Sequence, residues 1–494
     1  MKIRCMKMLS MKMRGLWIIL LMIFSFALKA QDNNTFQLHP DNPHYFLYQG
    51  KPTIVVGSGE HYGAVINLDF DYKTYLQTLG KDQLNNTRLF TGAYVEKLGD
   101  FGIQKNTLAA ADGRVILPWK RAAESGYTLG GNKFDLNQWD EAYFERLKNF
   151  MQLSAENDVI VEVTLFSAHY ANGWNYSALN PKNNINQTSE IPSAKVNTLD
   201  NGNILEHQER YVRKIVSELN DFDNLYFEIQ NEPWAEAPDL VFTRNEFGPE
   251  EDWRSQTQVV SQKSNAWQRT VAEWIKDEES NLPKKHLISQ NISNFDYPIT
   301  DPDPNISIFT FHYAFPKAVY QNYYLDRAIG LNETGFAGQA DSTYRRQAWR
   351  FLMAGGSLFS HLDYSFSVGS EDGSDTAYEA PGGGSPAFRD QMSILKTFFE
   401  DLDFIALKPD FQTVLGSPGA YNLTLSDGES LWIIYVEPVA IKSQSFILDL
   451  PEGEYQAEWK DVESGKSLGM MTVEDNHLKV PEANGDKVVV IRSR

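Results

Sequence analysis

Across 494 residues the chain sets 45 Lys and Arg against 65 Asp and Glu, a formal net charge of −20. That balance disfavours nucleic acid and anionic membranes as partners and suits a neutral ligand such as a glycan. The single cysteine, Cys5, lies near the start, so nothing after it can form a disulfide, a thiol nucleophile or a thiolate metal site.

The first thirty residues read as a secretory signal peptide, spanning 1–30. Lys2, Arg4, Lys7, Lys12 and Arg14 form a basic start, an apolar run covers 16–28, and Ala30 offers a small residue at a cleavage point. The run is short for a spanning helix, and no later stretch is apolar enough. The expectation is a secreted or periplasmic protein with no membrane contact after cleavage. Residues 31–42 are polar and read as frayed.

From Tyr45 strands and helices alternate. Strands are expected at 52–56, 86–90, 159–165, 224–231, 285–290, 306–311, 327–331 and 357–362. Between them, helical spacing marks 71–79, 139–157, 205–219, 260–277, 344–354 and 386–402. The stretch 104–132 shows no clear element, 167–203 is an Asn-rich loop, and 235–253 is an acidic insertion. Eight strands in this order favour an α/β fold, a (β/α)8 TIM barrel over 36–402. Past Pro409 helical periodicity stops, and short strands separated by Gly, Asp and Pro imply a small all-β sandwich over 405–494. Its Trp432, Tyr435 and Trp459 read as sandwich core ahead of glycan-stacking rings.

Chemistry concentrates at strand ends. The fourth strand stops at Asn231-Glu232-Pro233, because proline cannot donate to a ladder. The seventh stops at Asn332-Glu333. In a barrel those two ends face each other across the mouth, where active sites are built. Two converging carboxylates are what glycosidic hydrolysis needs: one acid for the leaving oxygen, one carboxylate for the anomeric carbon.

With Asn86-Thr87-Arg88 on the second strand and His312-Tyr313 after the sixth, these motifs resemble the clan A retaining glycoside hydrolases, close to the cellulase-like family 5. The resemblance covers all eight strands. It implies Glu232 as general acid/base, Glu333 as nucleophile, Asn231 as a sugar 2-hydroxyl partner, and Arg88 as a support for the nucleophile. It implies further that the tyrosine of the His312–Tyr313 pair bonds the nucleophile. Family 5 spaces that pair by one residue, and here the two are adjacent.

Further substrate contacts are expected from Glu60 and His61 after the first strand, His169 and Trp174 after the third, and Tyr364 after the eighth. His and Asp positions lack metal-ligand spacing, and Gly382-Gly383-Gly384 neither follows a strand nor opens a phosphate-binding helix, so no metal and no cofactor are expected. The expected function is a retaining glycoside hydrolase acting on an oligo- or polysaccharide, an endo-β-glucanase first. An exo-acting β-mannosidase or β-galactosidase, or a non-catalytic glycan-binding protein, are the alternatives.

Overall fold

A computed structural model describes residues 34–494 apart from 171, 250–251, 440–444 and 483. The expected signal peptide and Cys5 fall outside the described residues. Residues Thr35–Arg494 form one compact unit.

Eight parallel strands close into a barrel: β1 (Val55–Gly59), β2 (Asn86–Phe90), β3 (Ile160–Ser167), β4 (Leu225–Asn231), β5 (Ile288–Asn294), β6 (Ile308–His312), β7 (Ala328–Glu333) and β8 (Leu358–Leu362). Closure runs through β8 on β1, with Leu358 opposite Val55, and through β4 on β5, with Phe227 opposite Ile288. Every residue of these strands is buried, as strands covered on both faces must be. β1 begins three residues later than its β-branched run suggests, and takes in Gly57-Ser58-Gly59. A Cβ at Gly57 would sit 2.8 Å from the Asn86 carbonyl, so glycine lets β1 approach β2.

The crossing helices are α1 (Tyr72–Lys81), α2 (Glu141–Glu156), α3 (Ile204–Leu219), α4 (Gln262–Ser280), α5 (Asp341–Leu352) and α6 (Pro386–Glu400). Side chains of Asp71, Asp140, Ser261 and Ser385 accept from first-turn amides and start four of them.

Three segments depart from the expectations. Residues 35–42 are not frayed: Phe36 is fully buried and, with Phe46 and Tyr48, closes the barrel floor against Val55, Ile160, Tyr226, Ile308 and Leu358. The stretch 104–132 contains half of an antiparallel hairpin, Trp119–Ser125 with Asn132–Trp139. Its strands are mostly polar and half exposed, so pairing forms them without an apolar alternation. Trp139 therefore ends a strand, and Asp140 caps α2. The acidic insertion folds into a second hairpin, Leu240–Thr243 with Gln256–Val259, joined to β5 at Ser293.

After the barrel come a six-stranded antiparallel sheet and a facing three-stranded one. Trp432, Tyr435 and Trp459 are each no more than 1% exposed, so they are interior and offer no glycan a surface. α5 seats this sandwich: Trp349 stacks on Tyr435 at 5.6 Å and 11°. Arg346 holds Asp486 with two bonds of 2.8 and 2.9 Å, and Arg350 pairs with Glu437. Truncating Trp349→Ala should cost about 3–5 kcal/mol, read as a lower thermal midpoint shared by barrel and sandwich. Deleting 405–494 should leave an insoluble barrel; a soluble, folded one would show that the contact is dispensable.

Candidate active site

The backbone around the barrel mouth is unusual. Tyr62, Tyr170, Glu232, Phe295 and Tyr313 follow β1, β3, β4, β5 and β6, and all have positive φ, between 46° and 66°. Each such non-glycine residue costs about 1–3 kcal/mol, so its surroundings must impose it. They do so by hydrogen bonds. The Glu232 amide donates to Asn291 Oδ1 at 3.0 Å, Tyr313 to the Glu333 carbonyl at 3.0 Å, and Phe295 to the His312 carbonyl at 2.7 Å.

That geometry explains the adjacent His312 and Tyr313. Neighbouring residues in a strand point to opposite faces. His312 ends β6 facing inward, and the left-handed turn at Tyr313, φ 55°, brings the next side chain inward too. His312 Nδ1 lies 2.9 Å from Glu232 Oε1 and 3.3 Å from Glu333 Oε1. The Tyr313 hydroxyl donates to Glu333 Oε1 at 2.7 Å and lies 3.4 Å from Glu232 Oε1.

The two carboxylates thus converge, each from the carboxyl end of its strand. Glu232, His312 and Glu333 bring one polar atom each within 4.8 Å of one another. Glu232 Oε2 also accepts from the Tyr170 hydroxyl at 2.7 Å. Glu333 Oε2 accepts from Tyr62 at 2.9 Å and from Arg88 Nη1 at 3.1 Å. Burial alone would push Glu333 up. The His312 charge, Arg88 and the Tyr313 bond outweigh it and hold the carboxyl well below the usual range. Burial likewise opposes charge on His312, but Glu333 and Glu232 raise its ring to about 9. Burial, with the neighbouring carboxylates, pushes the phenols of Tyr62, Tyr170 and Tyr313 well above their ordinary value, so they stay donors.

Beneath the pair lies a charged floor inside the barrel. Arg88 from β2 reaches Glu333, Asn231 Oδ1 at 2.8 Å, and Glu228. Asn332 Nδ2 donates at 2.8 Å to both Glu228 and Glu162. Burial first, and then the Glu228 charge, push Glu162 well above the usual carboxylate range. Asn231 is locked: Arg88 takes its oxygen, and its amide donates to Ser167 Oγ at 3.1 Å and Tyr170 at 2.9 Å.

Glu232, Glu333, Asn231 and Tyr313 line a cavity of about 250 Å³, with Tyr62 and Tyr170 beside them. His61 lines it as well, paired with Glu96. Arg88 and His312 act from behind the wall. Four expected contacts lie elsewhere. Glu60 turns away, its carboxylate accepting from the Gly63 and Ala64 amides at 2.9 and 3.1 Å and from Thr107, which pins the loop after β1. His169 is buried between Tyr94 and Trp174, and burial lowers its ring to about 3. Trp174 donates to the Ile191 carbonyl at 3.0 Å and packs its own loop. Tyr364 is 5% exposed and is not among the residues that line the cavity. These residues follow strands one, three and eight as expected, but the loop paths after them turn their side chains into packing.

Sequence reasoning passed over Glu96, Trp253, Glu162 and Glu228 as site residues. The last two carried a signal: carboxylates inside otherwise apolar strands, Glu162 level with Arg88 on β2 and Glu228 level with Thr164 on β3. Trp253 carried none, since the hairpin of the insertion brings it to 4.7 Å from the Tyr313 ring.

No family model and no curated protein matches the chain. Solved structures do. A glycoside hydrolase of family 5 from Bacteroides vulgatus aligns over 93% of this chain and 94% of its own, at 11% identity and a TM-score of 0.59. A candidate glycoside hydrolase from the same organism aligns over 94% and 83%, at 13% identity and 0.60. A further glycoside hydrolase aligns over 93% and 97%, at 12% and 0.55. The fold is that of these hydrolase barrels.

Among the described residues, Glu232, His312 and Glu333 are the one group with spacing for a metal ion. The same oxygens and Nδ1 are engaged in hydrogen bonds to one another, and a ligating imidazole nitrogen would have to give up its proton. The raised His312 ring makes a testable statement. Its folded value of about 9 exceeds the ordinary 6.5. The ion pair therefore stabilises fully below the unfolded value and loses that contribution as pH rises through about 9. Thermal midpoints of wild type should fall across that window, and His312→Gln should flatten the fall.

Proposed function

We propose that the chain is a retaining β-glycosidase working by double displacement. The observation that carries the reading is the carboxylate pair of Glu232 and Glu333, polar atoms within 4.8 Å, at the facing ends of β4 and β7. Retaining enzymes hold their carboxyls roughly 5–5.5 Å apart, whereas inverting ones need room for a water between them. The fold shared with glycoside hydrolases supports the same reading.

The two carboxylates are dressed differently, and that divides the roles. Glu333 has four donor groups around it and stays ionised, as a nucleophile must. It attacks the anomeric carbon, and the bond to the leaving oxygen breaks. That oxygen takes a proton from Glu232, whose Oε1 shares a 2.9 Å hydrogen bond with His312. Water then attacks the glycosyl ester, gives its proton to Glu232, and releases the sugar and Glu333. One water is consumed, and the anomeric configuration is kept.

The cavity favours exo-action over the endo-β-glucanase expectation. At about 250 Å³ it falls below the roughly 300–1,000 Å³ of common ligand pockets. Trp253 from the insertion and Phe101 from the loop after β2 stand on its wall. That suits a terminal sugar better than an internal run of a polymer. The acidic composition and the leader-like first residues fit a secreted or periplasmic enzyme on a neutral oligo- or polysaccharide.

Glu232→Gln should lose on the order of 10²–10⁴-fold in kcat on substrates with poor leaving groups, and far less on activated aryl glycosides. Glu333→Gln should lose activity on both. Near-normal turnover by either variant would overturn the roles. Proton NMR of the first-formed product should show retained configuration. Product sizes from a β-glycan panel decide the mode: monosaccharides for exo-action, a ladder of oligosaccharides for endo.

A further inference from the structure

Two titratable side chains in the cavity are not used by the displacement. Glu96, on the loop after β2, and His61, after β1, both line its wall, 4% and 8% exposed. His61 Nε2 lies 3.2 Å from Glu96 Oε2 and 3.4 Å from Oε1. Burial opposes a charge on the His61 ring, but Glu96, helped by Glu333 and Glu60, raises its value. The two side chains form a hydrogen-bonded pair on the wall of a site in which Tyr62 and Tyr313 are engaged with Glu333 and Tyr170 with Glu232.

The carboxylate is held in place. Tyr94 donates to Glu96 Oε1 at 3.2 Å, and Asn106 Nδ2 donates to Oε2. With His61 these are three donors, and a carboxylate offers about four acceptor positions. One position remains open. His61 Nδ1 has no partner among the described residues, so Glu96 is the ring's polar anchor. The ring leans on Tyr62, centroids 5.3 Å apart, and the Tyr62 hydroxyl bonds Glu333. Glu96 is therefore fixed relative to the nucleophile through two side chains, and stands on the wall of the same cavity.

Resting on the retaining-glycosidase reading, we propose that Glu96, oriented by His61, Tyr94 and Asn106, is the specificity residue of this site: it accepts a hydrogen bond from a hydroxyl of the sugar held over Glu333, and so selects neutral terminal sugars and rejects uronic acids. An acceptor-only group requires a hydroxyl that is free to donate. A sugar with that hydroxyl substituted, or carrying a carboxylate toward Glu96, leaves a buried charge unpaired or faces a like charge. Sites built to bond a hydroxyl discriminate strongly for that reason.

The test compares wild type, Glu96→Gln and Glu96→Ala on 4-nitrophenyl β-glycosides of glucose, galactose, mannose and glucuronic acid. A charge-assisted hydrogen bond lost in the complex corresponds to roughly 10- to 100-fold in kcat/KM. Glu96→Ala should lose that factor on the best neutral glycoside, while Glu96→Gln should narrow the neutral-to-glucuronide ratio by roughly tenfold or more. Asn106→Ala should reproduce part of the Glu96→Ala loss, as expected for a group that acts by orienting the carboxylate. Unchanged ranking and kcat/KM within about twofold in both Glu96 variants, with thermal midpoints lowered, would make the pair a structural ion pair only and overturn the proposal. Calorimetric titration of wild type and Glu96→Gln with the free monosaccharides and with glucuronate reads the same selectivity without turnover. If wild type hydrolyses none of the aryl glycosides, the glycosidase reading fails. In that case a titration in which wild type prefers neutral sugars and Glu96→Gln does not would still uphold the subsite, and equal selectivity in both would overturn it.

Discussion

One buried guanidinium holds the working end of this barrel together. Arg88 has no contact with solvent, yet it serves Glu333 above and Glu228 beside it, and it fixes the Asn231 side chain. A charge in such a place is tolerated only where it is compensated and its donors are satisfied. The compensation is divided. Glu228 and Glu333 bond it directly, while Glu162, pushed toward its neutral form, stands 3.8 Å from the Arg88 Nε and accepts from Asn332. Without Arg88 the carboxylates at the centre would repel one another, and Glu333 would lose one of the groups that keep it ionised.

The rim above that floor is rigid by backbone means. Five residues in left-handed conformations ring the mouth, each at or near the end of a barrel strand. Such a conformation aims a side chain where a regular strand end cannot. It turns Glu232 and Tyr313 to the centre and lets His312 and Tyr313, adjacent in the chain, address the same two carboxylates. The strain is offset by bonds from neighbouring strands, so the site is preorganised by the barrel rather than by its loops.

The loops have a different task. The insertion after β4 folds into a hairpin that brings Trp253 over Tyr313, and the loop after β2 carries Phe101 and Glu96 to the same cavity. They narrow the mouth and bring Glu96 to the cavity wall. In the proposed glycosidase, the reaction belongs to the strand ends and the choice of substrate to these two segments.

What the sequence determined by itself follows from periodicity and punctuation. Apolar strands alternating with amphipathic helices specify a closed barrel, because strands buried on both faces need helices around them. Asn231-Glu232-Pro233 and Asn332-Glu333 stand at strand ends because the pattern stops there, so the two carboxylates could be placed on one rim from local signals alone. Glu60, His169, Trp174 and Tyr364 occupy equivalent places in the chain, and local signals could not tell them from site residues. Only the tertiary structure decided that Glu60 ties a loop, that His169 and Trp174 pack together, and that Tyr364 is left out of the cavity lining. The reason is physical. A strand's direction is set by a few neighbouring residues and its ladder, whereas a loop's path is set by what it packs against, here by residues as far apart as Trp253 and Tyr313.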